Sequence, residues 1–464
     1  MRSPDAGLSP REVVAAGLCI GCGGCAAGGR TAGARVGFDR FGRLRPEGPK
    51  AWLGRRSEVF ARTCPSSPAA RDEDALALEL YPDAPFADPC IGRFRAAYVG
   101  AAAEGDFRAA GSSGGMVTWT AAELMRRGLI DGVAHVKPAP SPRGQAPFFR
   151  YGVSRSEAEL RAGAKSRYYP IEMSGVLDEI RRTPGRYAVV GVPCFIKAVR
   201  LLCREDPVLR ERVAFTLGLF CGHMKSARLV ESFAWQLGTQ VEAVEAVDFR
   251  AKDPGRPANW YTAHLRLKDG SERRQDWWHL ADGDWGAGFF QYPACDFCDD
   301  VTAETADISF GDAWVEPYSS DGRGTNVVVV RSSALAAILA QGIEEGRLDL
   351  SPVDADFVHG TQAAGFRQRR EGLSLRLAGR RRGLTPRKRV PARAPSLTWR
   401  RRAVYRLRQA IAAGSHRVFW AAQRLRWPGL YTRWARASLA VYQGLAWSHG
   451  RVGRIVDRLD GKRA

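Results

Sequence analysis

Residues 94–136 read FRAAYVGAAAEGDFRAAGSSGGMVTWTAAELMRRGLIDGVAHV, and their order decides the fold class. Residues 96–100 read as a short strand. The glycine turn Gly111-Ser112-Ser113-Gly114-Gly115 opens an apolar helix over 116–125, residues 128–132 end it, and 133–136 form the next strand. Strand, glycine loop, helix and strand make a βαβ-like unit, so the body is α/β, in a mixed α+β chain. Outward from this unit, 187–191 read as a buried strand that runs into Val192-Pro193-Cys194 and a helix through 202. Residues 215–221 form a strand with Cys221 at its C-terminal end. Residues 244–277 hold strands and a hairpin around Asp269-Gly270, and 326–331 (NVVVVR) form another buried strand. Residues 138–147 are Pro-rich and read as a surface loop, and no internal repeat is present.

The chain has 464 residues, 45% hydrophobic and 26% charged, which suits two or three globular domains and excludes a fibrous or wholly disordered chain. No uninterrupted apolar run reaches the length of a spanning helix. The net charge of +21 is unevenly placed. Residues 365–464 hold 26 of the 70 basic residues and 3 of the 49 acidic ones, which leaves 44 basic and 46 acidic residues before them. Three segments follow: 1–90, Gly-rich with five cysteines, four of them before residue 68; 91–364, the α/β body; and 365–464, a basic tail. The tail's charge favours an anionic surface, a membrane or an acidic partner. No nucleic-acid reading module accompanies it, so nucleic acid is not expected.

Asp5, Arg11 and Glu12 precede the first apolar stretch, and Cys19-Ile20-Gly21-Cys22 breaks it, unlike a signal peptide. Leu18 before Cys19 does not suit a lipoprotein. The expectation is a cytoplasmic protein, peripheral on the inner membrane face if the tail binds lipid. In that compartment closely spaced cysteines point to metal or redox sites.

Cys19, Cys22 and Cys25 form C-x2-C-x2-C, and Cys64 precedes Pro65. Three thiolates at this spacing wrap one corner of a cubane, and Gly21, Gly23 and Gly24 let backbone N–H groups approach the sulfides. Structural zinc sites usually pair two short knuckles instead. Cys295 and Cys298 form a second C-x2-C that by itself fits zinc, redox or iron–sulfur chemistry. Cys194 and Cys221, at strand C-terminal ends, are placed to complete a four-thiolate site. Cys90 has no such company, and Cys203 reads as a small buried apolar residue.

Taken in order, the motifs resemble the coenzyme F-420 hydrogenase/dehydrogenase beta-subunit family, which includes 7-hydroxymethyl chlorophyll a reductases. They are CIGCGGC at 19–25, FGRLRP at 41–46, GSSGGMVT at 111–118, GLIDGV at 128–133, KSRYYP at 165–170, GVPC at 191–194, CDFC at 295–298, ADISFGDAW at 306–314 and GTNVVVVRS at 324–332. The resemblance implies a ferredoxin-like iron–sulfur N-terminal segment, an α/β flavin-binding body, FAD, and one or two 4Fe-4S clusters. It further implies electron transfer between a donor (ferredoxin, or the deazaflavin coenzyme F-420 as substrate) and an acceptor. It carries Cys19, Cys22, Cys25 and Cys64 over as one ligand set and Cys194, Cys221, Cys295 and Cys298 as a second. Gly111, Ser112, Ser113, Gly114 and Gly115, with Lys165, Ser166, Arg167 and Tyr168, would line the flavin site. The chain departs from a ferredoxin run in having Ala-Ala-Gly-Gly after Cys25, and the basic tail has no counterpart in these motifs.

Each residue also has a plain structural reading. The glycine turn serves equally as a tight strand–helix connection, and Lys165 and Arg167 as solvated charges. Asp307 and Asp312 read as turn caps or as groups that orient Cys295 and Cys298. His223 reads as a proton donor near the flavin or as a structural histidine. In the tail, Trp427, Tyr431, Trp434, Val441 and Leu445 follow helical spacing with Arg between them. That suits a membrane-lying helix or a hairpin packed on the body. The chain lacks a nucleophile elbow and a Walker A loop, which removes motif support for hydrolase and triphosphatase readings. The competing class is a zinc-stapled binding protein that docks to membrane or nucleic acid through its tail.

Overall fold

The computed structural model describes residues 7–28, 31–139, 147–380, 383–393 and 396–460. Asp5 and most of the Pro-rich 138–147 stretch (140–146) lie outside them. The body is built on an eight-stranded mixed sheet. Its strands are β1 (Ala96–Ala102), β2 (Gly132–Pro138), β3 (Phe149–Ser154), β4 (Tyr187–Gly191), β5 (Val213–Leu219), β6 (Ile308–Asp312), β7 (Asn326–Val330) and β8 (Leu348–Val353), in the order β8-β1-β7-β6-β5-β4-β2-β3. β2, β4, β5 and β6 run parallel to one another, whereas β1–β7, β6–β7, β1–β8 and β2–β3 are antiparallel. β1 and β2 point the same way but are not neighbours, because β7, β6, β5 and β4 stand between them. The expected βαβ unit is therefore a long crossover.

Both sheet faces are covered, which is why the central strands read as unbroken apolar runs. Ala188, Val190, Val328 and Val330 face Trp119 and Leu124 of the Met116–Arg126 helix and Leu335 and Leu339 of the Ser333–Glu344 helix. Their sequence neighbours Tyr187 and Val189 face Phe195, Val199 and Leu177, while Val327 and Val329 face Ile91, Val301 and Phe366. This alternation is the two-residue period of a strand. The anticipated hairpin is Thr262–Leu267 paired with Glu272–Asp276, in a three-stranded sheet with Val244–Asp248.

The basic tail folds onto the body. Helices Trp399–Arg424 and Pro428–Trp447 form a hairpin, followed by Gly450–Leu459. Ile411, Phe419, Ala422, Tyr431, Ala435 and Tyr442 share a core with Phe233, Phe249, Trp277 and Phe290. Burying a side chain such as Phe419 contributes roughly 1.5–3 kcal/mol, so this face is structural. Residues 383–393, ahead of these helices, also lie against the body: Lys388 Nζ is 2.7 Å from Asp299 Oδ1, and Arg389 bonds both Glu304 oxygens at 2.6 and 2.8 Å. Among the described residues no helix is long and apolar enough to cross a membrane.

Candidate redox site

The Pro10–Ala15 helix starts at a capping box between Ser9 and Glu12 and delivers the chain to the Cys19 loop. Cys19, Cys22 and Cys25 lie on that loop, and Cys64 caps the Glu58–Thr63 helix. The four thiols lie in mutual electrostatic reach. Backbone N–H groups of Gly24 and Ser66 point at Cys22 and Cys64 respectively. Burial pushes the Cys22 thiol up to about 12 and those of Cys25 and Cys64 well up, with the neighbouring thiols adding to it. Thiols raised in this way take the thiolate form only against a strong local cation. Arg45, from the FGRLRP motif, is buried here and donates to the Cys19 carbonyl.

Cys194 sits in the first turn of the Pro193–Glu205 helix, Cys221 two residues beyond β5, and Cys295 and Cys298 on and just after the 3-10 turn Pro293–Phe297. After burial, Cys298, Cys221 and Cys295 bear most on the Cys194 thiol electrostatically, and Cys22 of the other set bears on it less. The Met224 N–H donates to Cys295 Sγ at 3.3 Å. Burial pushes Cys221 up to about 12 and Cys295 to about 11, against the pull of Arg369. Arg369 is buried on a π-helical turn, Gln368–Gly372, and donates to the carbonyls of Cys295 (3.1 Å), Cys221 (3.2 Å) and Gly222 (2.6 Å). A small cavity lies against both segments: Leu18, Ile20, Pro65 and Ser66, chain neighbours of the first cysteine set, wall one side, and Cys194 and Cys298 of the second set wall the other. Beside it Lys197 and Glu73 form a buried pair at 3.1 Å.

The structure also brings together the glycine loop and the 165–168 segment. The Ser166 N–H donates to Ser112 Oγ at 2.9 Å, and Ser113 Oγ to the Thr325 carbonyl at 3.0 Å. Gly114 is pressed between strands; a Cβ there would lie 2.8 Å from the Gly100 oxygen and 2.9 Å from the Asn326 nitrogen. Gly115, at φ 81°, is the N-cap of the Met116–Arg126 helix. Gly111 opens the loop beside Gly115. Lys165 is left-handed (φ 112°), with Nζ 3.4 Å from Asp248. Lys252, missed from the sequence, donates to the carbonyls of Ser113 (2.9 Å) and Arg323 (2.7 Å). Burial, then Lys165, Arg108 and Arg250, lowers its pKa to about 8. Of these neighbours Lys165 pairs with Asp248, Arg108 with Asp321 and Arg250 with Asp312, so Lys252 is the cation here that meets backbone carbonyls alone. Arg167 packs over Phe149, and its Nε is buried with no hydrogen-bond partner among the described residues.

Aromatic rings join this loop to the second cysteine set. Tyr168 lies 4.8 Å from Trp285, and Trp285 stacks on His223 at 4.4 Å. His223 follows Cys221-Gly222 in the chain. Burial drives its pKa well below the usual histidine value, so the ring is neutral, and its Nε2 is buried without a partner among the described residues. Asp307 bonds Arg200 and Thr216, and Asp312 pairs with Arg250. Cys203 packs in the core, and Cys90 lies beside Asp88 and His359.

Two family models match the chain, both describing the beta subunit of coenzyme F420 hydrogenase/dehydrogenase. The one for its N-terminal part matches residues 97–178, and the one for its C-terminal part matches residues 185–356. The chain belongs to the coenzyme F420 hydrogenase/dehydrogenase beta-subunit family. It is an oxidoreductase of that family, as its motifs suggested. It is 25% identical over 254 residues to coenzyme F420 hydrogenase subunit beta of Methanothermobacter thermautotrophicus, covering 52% of this chain and 78% of that one. The corresponding protein of Methanococcus voltae is 24% identical over 271 residues, covering 57% and 86%. A chain of the F420-reducing [NiFe] hydrogenase complex from Methanosarcina barkeri aligns at 18% identity and TM-score 0.49, covering 65% of this chain and 99% of that one. Cys194, Cys221, Cys295 and Cys298 fall inside the matched regions, whereas Cys19, Cys22, Cys25, Cys64 and Arg369 fall outside them.

Proposed function

We propose that this oxidoreductase is an iron–sulfur flavoprotein. It passes electrons between a reduced donor, a deazaflavin coenzyme or ferredoxin, and an acceptor. The single observation that carries the reading is that Cys194 stands among Cys221, Cys295 and Cys298 while also within electrostatic reach of Cys22. Two four-thiol sets so close suit two one-electron carriers in sequence. When bound, a flavin supplies hydride exchange and a 4Fe-4S cluster one-electron exchange. Cys19, Cys22, Cys25 and Cys64 would hold one cluster, and Cys194, Cys221, Cys295 and Cys298 the other. The 111–115 loop, Lys165, Ser166 and Lys252 would hold the FAD diphosphate, with Arg167 and Tyr168 against the rest of the cofactor. His223 is buried, and Tyr168, Trp285 and the cysteines are partly buried, which limits the water between them.

The zinc-stapled alternative demands a tighter array. A Zn–S bond of about 2.3 Å in a tetrahedron sets sulfurs about 3.8 Å apart. Among the described residues no three of these eight thiols lie within 4.8 Å of one another. A cubane, with an iron at each corner, spaces its thiolates further apart. The experiment is reduction of the anaerobically purified protein by reduced deazaflavin coenzyme, and separately by reduced ferredoxin. Bleaching of both flavin and cluster absorption by either donor supports the reading; a colourless protein opposes it.

A further inference from the structure

We propose that the outward face of the C-terminal helices docks on an anionic lipid surface. The proposal stands apart from the redox reading, because it rests on charge and exposure alone. Residues 372–456 contain no Asp or Glu. A face meant only for solvent mixes both signs, so an acid-free stretch of this length is built for a phosphate-rich partner. The body already uses the inner, apolar face through Ile411, Phe419 and Tyr431. The outer face is left with Arg402, Arg406, Arg417 and Arg424 on the first helix and Arg433 and Arg436 on the second, all exposed. Arg451, Arg454 and Arg458 are exposed on the last. In the C-terminal helices Arg400 pairs with Asp457 and Asp460, and Arg401 with Glu371; ahead of the helices Lys388 and Arg389 turn inward to Asp299 and Glu304. None of the outer-face arginines of the first two helices pairs with a carboxylate among the described residues.

Cations alone suit nucleic acid as well as lipid. The apolar side chains decide between them. Leu425 and Trp427 at the hairpin turn are 64% and 49% exposed, and Trp447, Ile455 and Leu459 at the opposite end are 66%, 58% and 71% exposed. That end is one assembly: Trp399 Nε1 donates to Asp460 at 2.6 Å, and Arg400 to Ser448 Oγ at 2.8 Å. Ile455 and Leu459 are one turn apart, edged by Arg451, Arg454 and Arg458. A 26-residue first helix sets the two apolar ends about 39 Å apart, with the arginines between them. A sugar–phosphate backbone gives nothing to Leu425, Ile455 or Leu459. A bilayer interface takes aliphatics into the acyl boundary, tryptophans at the headgroups and guanidinium groups at the phosphates. Amphipathic burial at both ends with cations along the span fits a helix pair lying flat on the surface.

The test is vesicle flotation of the full chain, with vesicles of phosphatidylcholine alone and of phosphatidylcholine mixed with phosphatidylglycerol. The protein is expected to float only with the phosphatidylglycerol vesicles. The triple variant R451Q/R454Q/R458Q should weaken partitioning by about fivefold per arginine, roughly 100-fold together. L425S/I455S/L459S should bind weakly and release in moderate salt. All of these sites are exposed, so both variants should keep the parent's melting temperature. Failure of the parent to float with phosphatidylglycerol vesicles at low salt overturns the proposal. So does equal flotation of the L425S/I455S/L459S variant, or duplex DNA that competes fully for the parent and binds that variant equally well.

Discussion

Arg369→Gln should lower the reduction potential of the cluster proposed at Cys194, Cys221, Cys295 and Cys298. The guanidinium is buried and bonded to the carbonyls of Cys221, Gly222 and Cys295, and all four thiols bear on it electrostatically. Reduction adds a negative charge in a partly buried site, and a fixed cation beside it offsets part of that cost. A unit charge roughly 8 Å away in an effective dielectric of about 20 is worth about 2 kcal/mol. For a one-electron couple a tenfold change in equilibrium is about 59 mV, so the loss corresponds to roughly 90 mV. Glutamine keeps one amide donor for the carbonyls and removes the charge, while Arg369→Lys keeps the charge and loses the fork. A potentiometric titration followed by electron paramagnetic resonance should therefore move the midpoint strongly negative in R369Q and only slightly in R369K. Iron content should match the parent in both. Arg45→Gln, beside Cys19, should shift the other cluster instead. An R369Q midpoint equal to the parent's at full iron content would refute the reasoning.

Three further outcomes follow from the geometry. Cys25→Ser should remove about half of the bound iron, whereas Cys203→Ser and Cys90→Ser should leave it unchanged by colorimetric assay. Gly114→Ala should destabilise the fold and reduce flavin retention, because its Cβ would press on the Gly100 oxygen at 2.8 Å. Gly175→Ala, helical and with nothing within 4 Å, should instead stabilise by about 0.5–1 kcal/mol in a denaturant titration. Glu123, held by Arg347 first and then Arg127, titrates at about 2, below its unfolded value. Its contribution is complete above about pH 4.5 and is lost as pH falls towards 2. Glu123→Gln should cost about 1–2 kcal/mol at neutral pH, a gap that closes on acidification.

The legible parts of this chain were those with a local signature. Residues 187–191 and 326–330 read as buried strands because both their faces are covered, and the cysteine spacings and glycine turn announced themselves. Sheet order was not legible: the 96–136 unit reads as adjacent strands, yet four strands separate β1 from β2, and only long-range pairing sets that. The tail's charge likewise looked like an appendage. Its summed composition hides the fact that Arg369, Lys388 and Arg389 turn inward to meet cysteine carbonyls and buried carboxylates, while Arg451 and Arg454 turn outward. Lys252 and Trp285 had no motif to mark them, since their roles come from Ser113 and from His223, far away in sequence.

The most direct test is anaerobic purification with iron, sulfide, zinc and flavin counted per chain. The account predicts about eight iron with matching sulfide and about one FAD. About four iron would leave one thiol set without a cluster, and zinc in place of iron with no flavin would contradict the electron-transfer reading outright.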